Sequence, residues 1–239
     1  MNIWQKALIS TSITFVIGGV YLFSVYEHRK NPGVFTQQSE NAGLSQDDLA
    51  VVRMKFPQHY EDVLSLAGTS VWMKNGYTMP YYPFAGGRLE FHRVGLIPPD
   101  QRLDIKKIVK AVPPPHEDDN ISHGSRQVFA VFTLPGDVKL YATPIGVMDA
   151  SDEAYFCDML FYYDDPHTIY DNWPKDVWAA IDAHQAKPGM NELQVRTALG
   201  QKTTNDGGSL GNRTVTYNAN GRKWTVKFED DRATVVKSE

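Results

Sequence analysis

Apolar residues near the end of the chain follow helical spacing first and strand spacing afterwards. Between residues 164 and 200 they recur every three or four positions in two short stretches, which is typical of one face of a helix. Asp165–Pro166 has the form of a helix N-cap followed by a first-turn proline, and Asn191 with Gln194 has the form of a capping box. Lys187–Pro188–Gly189 separates the two stretches. The pattern predicts a helical hairpin.

Strand-like alternation lies on both sides of this hairpin. Residues 69–163 contain six or seven short alternating segments, and their spacing predicts a small barrel or a strongly bent sheet. We expect Asn75–Gly76 to form the turn of a hairpin between the first two strands. Three further segments between 212 and 237 predict an antiparallel meander, and residues 111–125 predict an exposed loop.

Upstream of the strands the pattern is helical again. Ser45 to Phe56 has a capping residue followed by apolar residues on one helical face, and Pro57 ends that segment. A second helical piece runs from His59 to Leu66. We therefore expect two short helices before the first strand.

The first part of the chain has the pattern of a membrane anchor. Residues 7–26 contain no charged side chain, and this length suits a helix that crosses ~30 Å of hydrocarbon. A cleaved signal peptide and a buried soluble helix are the alternatives, but no small-residue cleavage site follows the run. Lysine and arginine counts on its two sides differ by one residue, which weakly favours a cytoplasmic globular part.

Together these patterns predict an α+β fold with four parts. Residues 1–30 form a single transmembrane anchor and residues 31–43 a linker. Residues 44–163 form a β-rich domain with N-terminal helices. Residues 164–239 form the helical hairpin and the three-stranded meander, an ααβββ unit.

The last quarter of the chain resembles the small domain of the BamE (SmpA/OmlA) family of outer-membrane assembly lipoproteins. The matching residues are Pro188–Gly189–Met190, Val195, Leu199–Gly200, Tyr217, Trp224, Val226 and Phe228. The family's lipoprotein cysteine is missing, and a large middle region precedes the matching part. The resemblance implies a domain on the extracytoplasmic, periplasmic side that binds another protein and is not an enzyme.

Composition narrows the choice of partners. The net charge of −4 over 239 residues offers no basic excess for a nucleic-acid partner. Cys157 is the only cysteine, which excludes an intramolecular disulfide and a four-thiolate metal site. The sequence predicts no cofactor.

Carboxylates and histidines are the candidates for chemistry. Eight carboxylates lie between residues 152 and 182, and their spacing matches helix caps and turns better than a calcium loop. His167 and His184 flank the first hairpin helix, where they could meet Asp164 or Asp165. No known metal-binding spacing occurs, so we assign no metal ligand and no catalytic residue from the sequence.

Aromatic residues supply the remaining candidate site. Trp72, Tyr77, Tyr81, Tyr82 and Phe84 lie within thirteen positions, and they predict either a binding surface or a strand core. The leading hypothesis is a membrane-tethered, non-enzymatic protein-binding or envelope-assembly module. An accessory subunit of a larger membrane complex and a metal-dependent hydrolase are the alternatives.

Overall fold

The computed structural model describes Ser45, Asp47 and residues 49–114, 125–148 and 153–239. Ala50–Glu239 forms one unit with two antiparallel sheets. Its helices are α1 (Tyr60–Leu64), α2 (Cys157–Leu160), α3 (Pro166–Ile169), α4 (Lys175–Asp182) and α5 (Glu192–Leu199). The first sheet contains β1 (Ser70–Met73), β2 (Met79–Ala85), β3 (Arg88–Leu89), β4 (Gly95–Ile97), β5 (Arg102–Ala111), β6 (Arg126–Thr133), β7 (Tyr141–Met148), β8 (Glu153–Tyr155) and β9 (Phe161–Tyr162). The second contains β10 (Lys202–Asn205), β11 (Thr214–Ala219), β12 (Arg222–Glu229) and β13 (Arg232–Ser238).

The predicted α+β class is wrong for the part of the chain that the structure describes. The described part of the chain is β-rich, and its longest helices, α4 and α5, have eight residues each. None of the helices in that part has the length and apolar character needed to cross a membrane. The anchor predicted at residues 7–26 and the linker at 31–43 lie outside the described residues. Local helix signals were present, but pairing between strands accounts for most of the ordered backbone.

The predicted hairpin at Asn75–Gly76 does not form. A turn is present there, with Gly76 at φ +90°, but β1 pairs with β5 and β9 rather than with β2. The strand order is β3-β2-β7-β6-β5-β1-β9, with β4 beside β2 and β8 beside β7. The hydrogen-bonded path therefore ends at two different strands, so the described strands do not form the closed barrel that was one of the two predicted alternatives.

The first sheet buries side chains on both of its faces. Along β6, Val128, Ala130 and Phe132 belong to one apolar cluster, and Phe129 and Val131 belong to another. Successive residues of a strand point to opposite faces, so β6 has a core on each side. This explains why its sequence is continuously apolar rather than alternating.

The second sheet buries only one face, against α4 and α5. Tyr217 on β11 and Trp224, Val226 and Phe228 on β12 are buried, while the residues between them are more exposed. The caps of the hairpin occur as predicted. Asp165 accepts a hydrogen bond from the backbone N–H of His167, and Asn191 and Gln194 form the capping box.

A column of aromatic rings connects the first sheet to this second core. Tyr162 of β9 contacts Tyr170 at 6.3 Å between ring centroids, and Tyr170 stacks on Trp173 at 4.4 Å. Trp173 then lies 5.0 Å from Trp178 of α4. All four residues belong to the same buried cluster. The aromatic column, Tyr162–Tyr170–Trp173–Trp178, therefore packs as part of the core of the second sheet.

A buried ion pair fixes the start of α5 against the second sheet. The Glu192 carboxylate pairs with the Arg213 guanidinium, and their side chains are 2% and 13% exposed. Glu192 Oε2 also accepts a hydrogen bond from the backbone N–H of Gly211. Asp231 accepts one from the backbone N–H of Glu192. One carboxylate thus links α5 to the chain between β10 and β11.

We expect Trp178→Ala to destabilise the protein strongly. Trp178 is 8% exposed, and truncating a buried tryptophan removes transfer energy and leaves a cavity that costs ~3–5 kcal/mol. For a protein of this size the melting temperature should fall by roughly 6–20 °C. Tyr77→Ala is the control, because Tyr77 is 39% exposed. Equal melting temperatures for the two variants would contradict the core position of Trp178.

We expect Glu192→Ala to cost far more stability than the same change at an exposed ion pair. Truncation leaves the Arg213 charge buried without its partner, which costs ~3–5 kcal/mol. Glu229→Ala breaks the pair with Lys227, whose side chains are 55% and 51% exposed, and should cost ~1 kcal/mol or less. Urea unfolding of both variants measures the difference. Similar losses would show that the pair at α5 is not the stabilising contact.

Candidate functional site

The five aromatic residues predicted as a binding surface do not share one. Tyr82 and Phe84 are buried in the cluster on one face of the first sheet, and Tyr81 is half-buried on the other face. Trp72 packs against the core of the second sheet, and Tyr77 is exposed. Because strand alternation sends neighbours to opposite faces, the cluster in sequence is divided between separate cores.

The segment Ala50–Gln58, which we call the strap, is held on the surface by backbone hydrogen bonds. Its backbone is not helical, contrary to the helix predicted from Ser45 to Phe56. The N–H groups of Lys55 and Phe56 donate to the two carboxylate oxygens of Asp158 at 2.9 and 2.7 Å. Arg53 donates to Asp164 at 2.8 Å and to the carbonyl of Tyr163. These long-range bonds replace the helical ones and explain the error.

Docking in this way leaves apolar side chains of the strap in solvent. Val51 is 87% exposed, Met54 47% and Phe56 66%. Phe56 also has φ +50°, which is uncommon and strained for a bulky residue. Backbone strain that the surroundings maintain is often found at functional sites. Sequence periodicity did not indicate the exposure of Phe56, because this residue fits the apolar face of the helix predicted from Ser45 to Phe56.

A cavity of about 470 Å³ lies beside Phe56, and we call it the strap pocket. Apolar and aromatic side chains contribute to its lining, and charged and polar residues of the strap and the α1 region complete it. The lining residues are Lys55, Phe56, Pro57, Glu61, Asp62, Val63, Ser65, Leu66, Cys157 and Tyr163. This volume suits a buried anchor side chain or a small ligand.

Burial and hydrogen bonds shift the pKa values of Cys157, Asp158 and Tyr163 at the strap pocket. Burial raises the pKa of the Cys157 thiol to about 12, so it stays protonated and is a poor nucleophile. Burial also acts to raise the pKa of Asp158, but hydrogen bonds from Lys55, Tyr163 and Phe56 outweigh it and lower that pKa. Burial, together with the hydrogen bond to Asp158, raises the pKa of Tyr163. The pocket is therefore suited to binding rather than to thiol chemistry.

A second cluster of chemical groups lies away from the strap. Asp100, His167 and Asp182 each offer one possible metal-ligating atom, and these atoms lie within 4.8 Å of one another. Burial raises the pKa of Asp100 to about 7, His167 opposes that shift, and Asp182 and Asp165 add to it. The sequence suggested His167 beside Asp165, which the structure shows at 3.1 Å. Asp100 was missed because it lies far away in sequence, in the turn between β4 and β5.

His184 does not join that cluster. Its Nδ1 lies 3.3 Å from the carbonyl oxygen of Ala198, and the side chain lines a smaller cavity of about 140 Å³ near Pro99 and Gly200. The meeting of His167 with His184 was one of the arrangements that the sequence left open. In the structure the two histidines have different partners.

Comparisons with family models, with curated proteins and with solved structures give no match for this chain. The resemblance of the last quarter to the BamE family therefore stays a prediction. Function has to be argued from the strap pocket and the Asp100 cluster themselves.

We expect Asp158→Asn to release the strap. An asparagine amide has one oxygen acceptor and one NH₂ donor, so it cannot accept from Lys55, Phe56 and Tyr163 as the carboxylate does. The Tyr163 hydroxyl is half-buried, and leaving such a donor unpaired costs ~1–3 kcal/mol, whereas the exposed N–H groups of Lys55 and Phe56 can bond to water instead. Limited trypsin digestion should then cut after Arg53 and Lys55 much faster than in the wild type.

Asp137→Asn is the matched control, because Asp137 also accepts from a backbone N–H and a tyrosine hydroxyl, those of Lys139 and Tyr141. It should not change cleavage in the strap.

The hydrogen bonds that Asp158 accepts also make the strap dependent on pH. The folded-state pKa of Asp158 is lowered, so its stabilisation is present above the unfolded value of about 4 and is lost as pH falls through the folded pKa. Unchanged cleavage of Asp158→Asn would show that other contacts hold the strap.

Proposed function

We propose that this chain is a non-enzymatic protein-binding module whose partner docks on the strap and its pocket. The observation that carries the proposal is the exposed Phe56 side chain at the edge of a 470 Å³ pocket. This binding surface lies on the strap and its pocket, and not on the aromatic residues between Trp72 and Phe84 that the sequence favoured.

The surface has the anatomy of an interaction site. The strap contributes the apolar side chains of Met54 and Phe56, which are 47% and 66% exposed. Interfaces combine such an apolar centre with a polar rim, and methionine and aromatic residues are enriched in them. Clustered exposure of large apolar groups marks binding sites more often than chance.

The pocket also indicates the kind of segment that a partner presents. Val63 and Leu66 are both 1% exposed and line the pocket together with Tyr163. An apolar side chain of the partner would therefore fit there as a buried anchor. Glu61 and Asp62 bring two negative charges to the same cavity, against one positive charge on Lys55, whose ammonium lies over the Tyr163 ring. We infer that the partner inserts an apolar anchor beside a lysine or arginine.

Two wider parts of the hypothesis rest on sequence alone. An extracytoplasmic location and a role in envelope assembly follow from the resemblance of residues 188–228 to the BamE family. A stable subunit contact within a larger membrane complex is the alternative use of the same surface. Stoichiometric co-purification in mild detergent favours the subunit, and a weak, exchangeable complex favours the binding module.

The test begins with a photo-crosslinking amino acid at Met54 in the full-length chain. The protein trapped there is identified, purified and titrated against the wild type and Phe56→Asn. Asparagine tolerates positive φ better than most residues, so this change removes the ring without adding backbone strain. Truncating an anchor residue at the centre of an interface weakens binding by more than ~2 kcal/mol. We therefore expect the affinity of Phe56→Asn for the partner to fall at least about 30-fold.

Val138→Asn is the control, since Val138 is 93% exposed on a turn of the first sheet. It should leave the affinity unchanged, and a crosslinker at Val138 should not trap the same protein. Equal affinity of the two variants would exclude the strap as the docking surface.

A further inference from the structure

Three potential metal ligands converge from three different elements. Asp100 lies in the turn between β4 and β5, His167 in α3, and Asp182 is the last residue of α4. Their nearest ligand atoms lie within 4.8 Å of one another. His167 Nε2 is 3.6 Å from Asp182 Oδ1. The cluster thus spans the first sheet and the helices packed on the second.

We propose that Asp100, His167 and Asp182 bind one divalent transition-metal ion of the Zn²⁺ type, which links the β4–β5 turn to α3 and α4. The site is separate from the strap and goes beyond the protein-binding function proposed above. Its support comes from the orientation of the histidine, the environment of Asp100 and the local charge.

His167 is oriented as a metal ligand by its other contacts. Its Nδ1 lies 3.1 Å from Asp165 Oδ1, and its ring stacks on Trp178 at 3.9 Å between centroids. If Nδ1–H donates to Asp165, the lone pair of Nε2 points towards Asp182. Metal-bound histidines in proteins commonly have such a carboxylate on the second ring nitrogen, which fixes tautomer and ring orientation.

Asp100 supplies an independent observation. Its Oδ1 is buried and accepts no hydrogen bond from any residue that the structure describes. A buried polar atom without a partner is costly, and this one belongs to a carboxyl group. The residue also has φ +59° after two consecutive prolines, Pro98 and Pro99. A restricted turn therefore keeps a carboxylate in an unfavourable place, and a bound cation would compensate it.

Ionised carboxylates around the imidazole would be stabilised by a cation as well. Asp100, Asp165 and Asp182 bring three carboxylates to one histidine, which repel one another when all are ionised. Asp165 and Asp182 both act to raise the pKa of Asp100. Their carboxylate oxygens lie 3.1 and 3.6 Å from ring nitrogens of His167. A divalent ion between the carboxylates would attract each of them and so offset their mutual repulsion.

The donor set determines which ion is expected. One imidazole nitrogen with two carboxylate oxygens suits Zn²⁺ or a similar transition metal, whereas Ca²⁺ and Mg²⁺ prefer oxygen ligands alone. Ligand distances of about 2.0–2.2 Å require the donor atoms to be somewhat closer than 4.8 Å. The Asp182 side chain is 58% exposed, so it is free to rotate inwards.

The experiment measures the thermal stability of the full-length, EDTA-treated chain with Zn²⁺, Mn²⁺, Mg²⁺ or Ca²⁺. Ligands that bind only the folded state raise the melting temperature, by roughly 5–10 °C here at free metal about 100-fold above Kd. We expect this shift with Zn²⁺, one ion bound per chain by calorimetry, and visible absorption bands when Co²⁺ replaces Zn²⁺.

Asp100→Asn separates metal binding from a purely structural role. The amide keeps the shape and tolerates positive φ, so without metal this variant should melt at or above the wild-type temperature, and the shift with Zn²⁺ should disappear. His167→Gln should also lose the shift. His92→Gln, which changes an exposed histidine near Glu90, should retain it.

Three outcomes would overturn the proposal. The first is a wild type whose melting temperature does not respond to Zn²⁺, which would leave the cluster without a bound ion. The second is a metal response that Asp100→Asn and His167→Gln both retain, which would place the ion elsewhere. A response to Ca²⁺ or Mg²⁺ alone would likewise exclude the nitrogen ligand.

Discussion

The aromatic column that leads from β9 to α4 is the packing on which the rest of the fold depends. The edge strand β9 carries Tyr162, and α4 carries Trp178, so the rings between them belong to both halves of the chain. Rings of this size contribute large buried areas, and stacked or edge-on contacts add to the gain. The short helices α3 and α4, of four and eight residues, would be marginal alone. Their positions are therefore fixed by packing against the column, and this brings His167 to the side of Asp100.

Sequence periodicity located elements well where local interactions decide the structure. The capping box at Asn191 and the N-cap at Asp165 form within a few residues, so their signals are visible in the sequence. Asn75–Gly76 shows the limit of this reasoning. The turn exists, but the choice of partner for β1 depends on β5 and β9, which are distant in sequence. Registry between distant strands is a tertiary property, and a local turn signal does not determine it.

The candidate sites were harder to predict for the same reason. Ser45 to Phe56 has helical spacing, yet the Asp158 carboxylate offers its backbone N–H groups a different acceptor. These hydrogen bonds hold Phe56 outside the predicted helix, and its side chain is 66% exposed. Asp100 has no local feature that marks it as a ligand. Only the folded arrangement of the β4–β5 turn against α3 shows that it faces His167.

The acidic run between residues 152 and 182 connects these two sites. Caps and turns account for part of it, since Asp165 caps α3 and Asp176 pairs with Lys187 beside α4. Asp158 and Asp164 hold the strap, and Asp165 and Asp182 flank His167. The run passes from the strap surface through β9 to the aromatic column within 25 residues. A change at either end, such as a partner that pulls on the strap or an ion that draws Asp182 inwards, therefore acts on the same short segment. Tyr162 and Tyr163 lie within this segment, and both are buried where it enters the core.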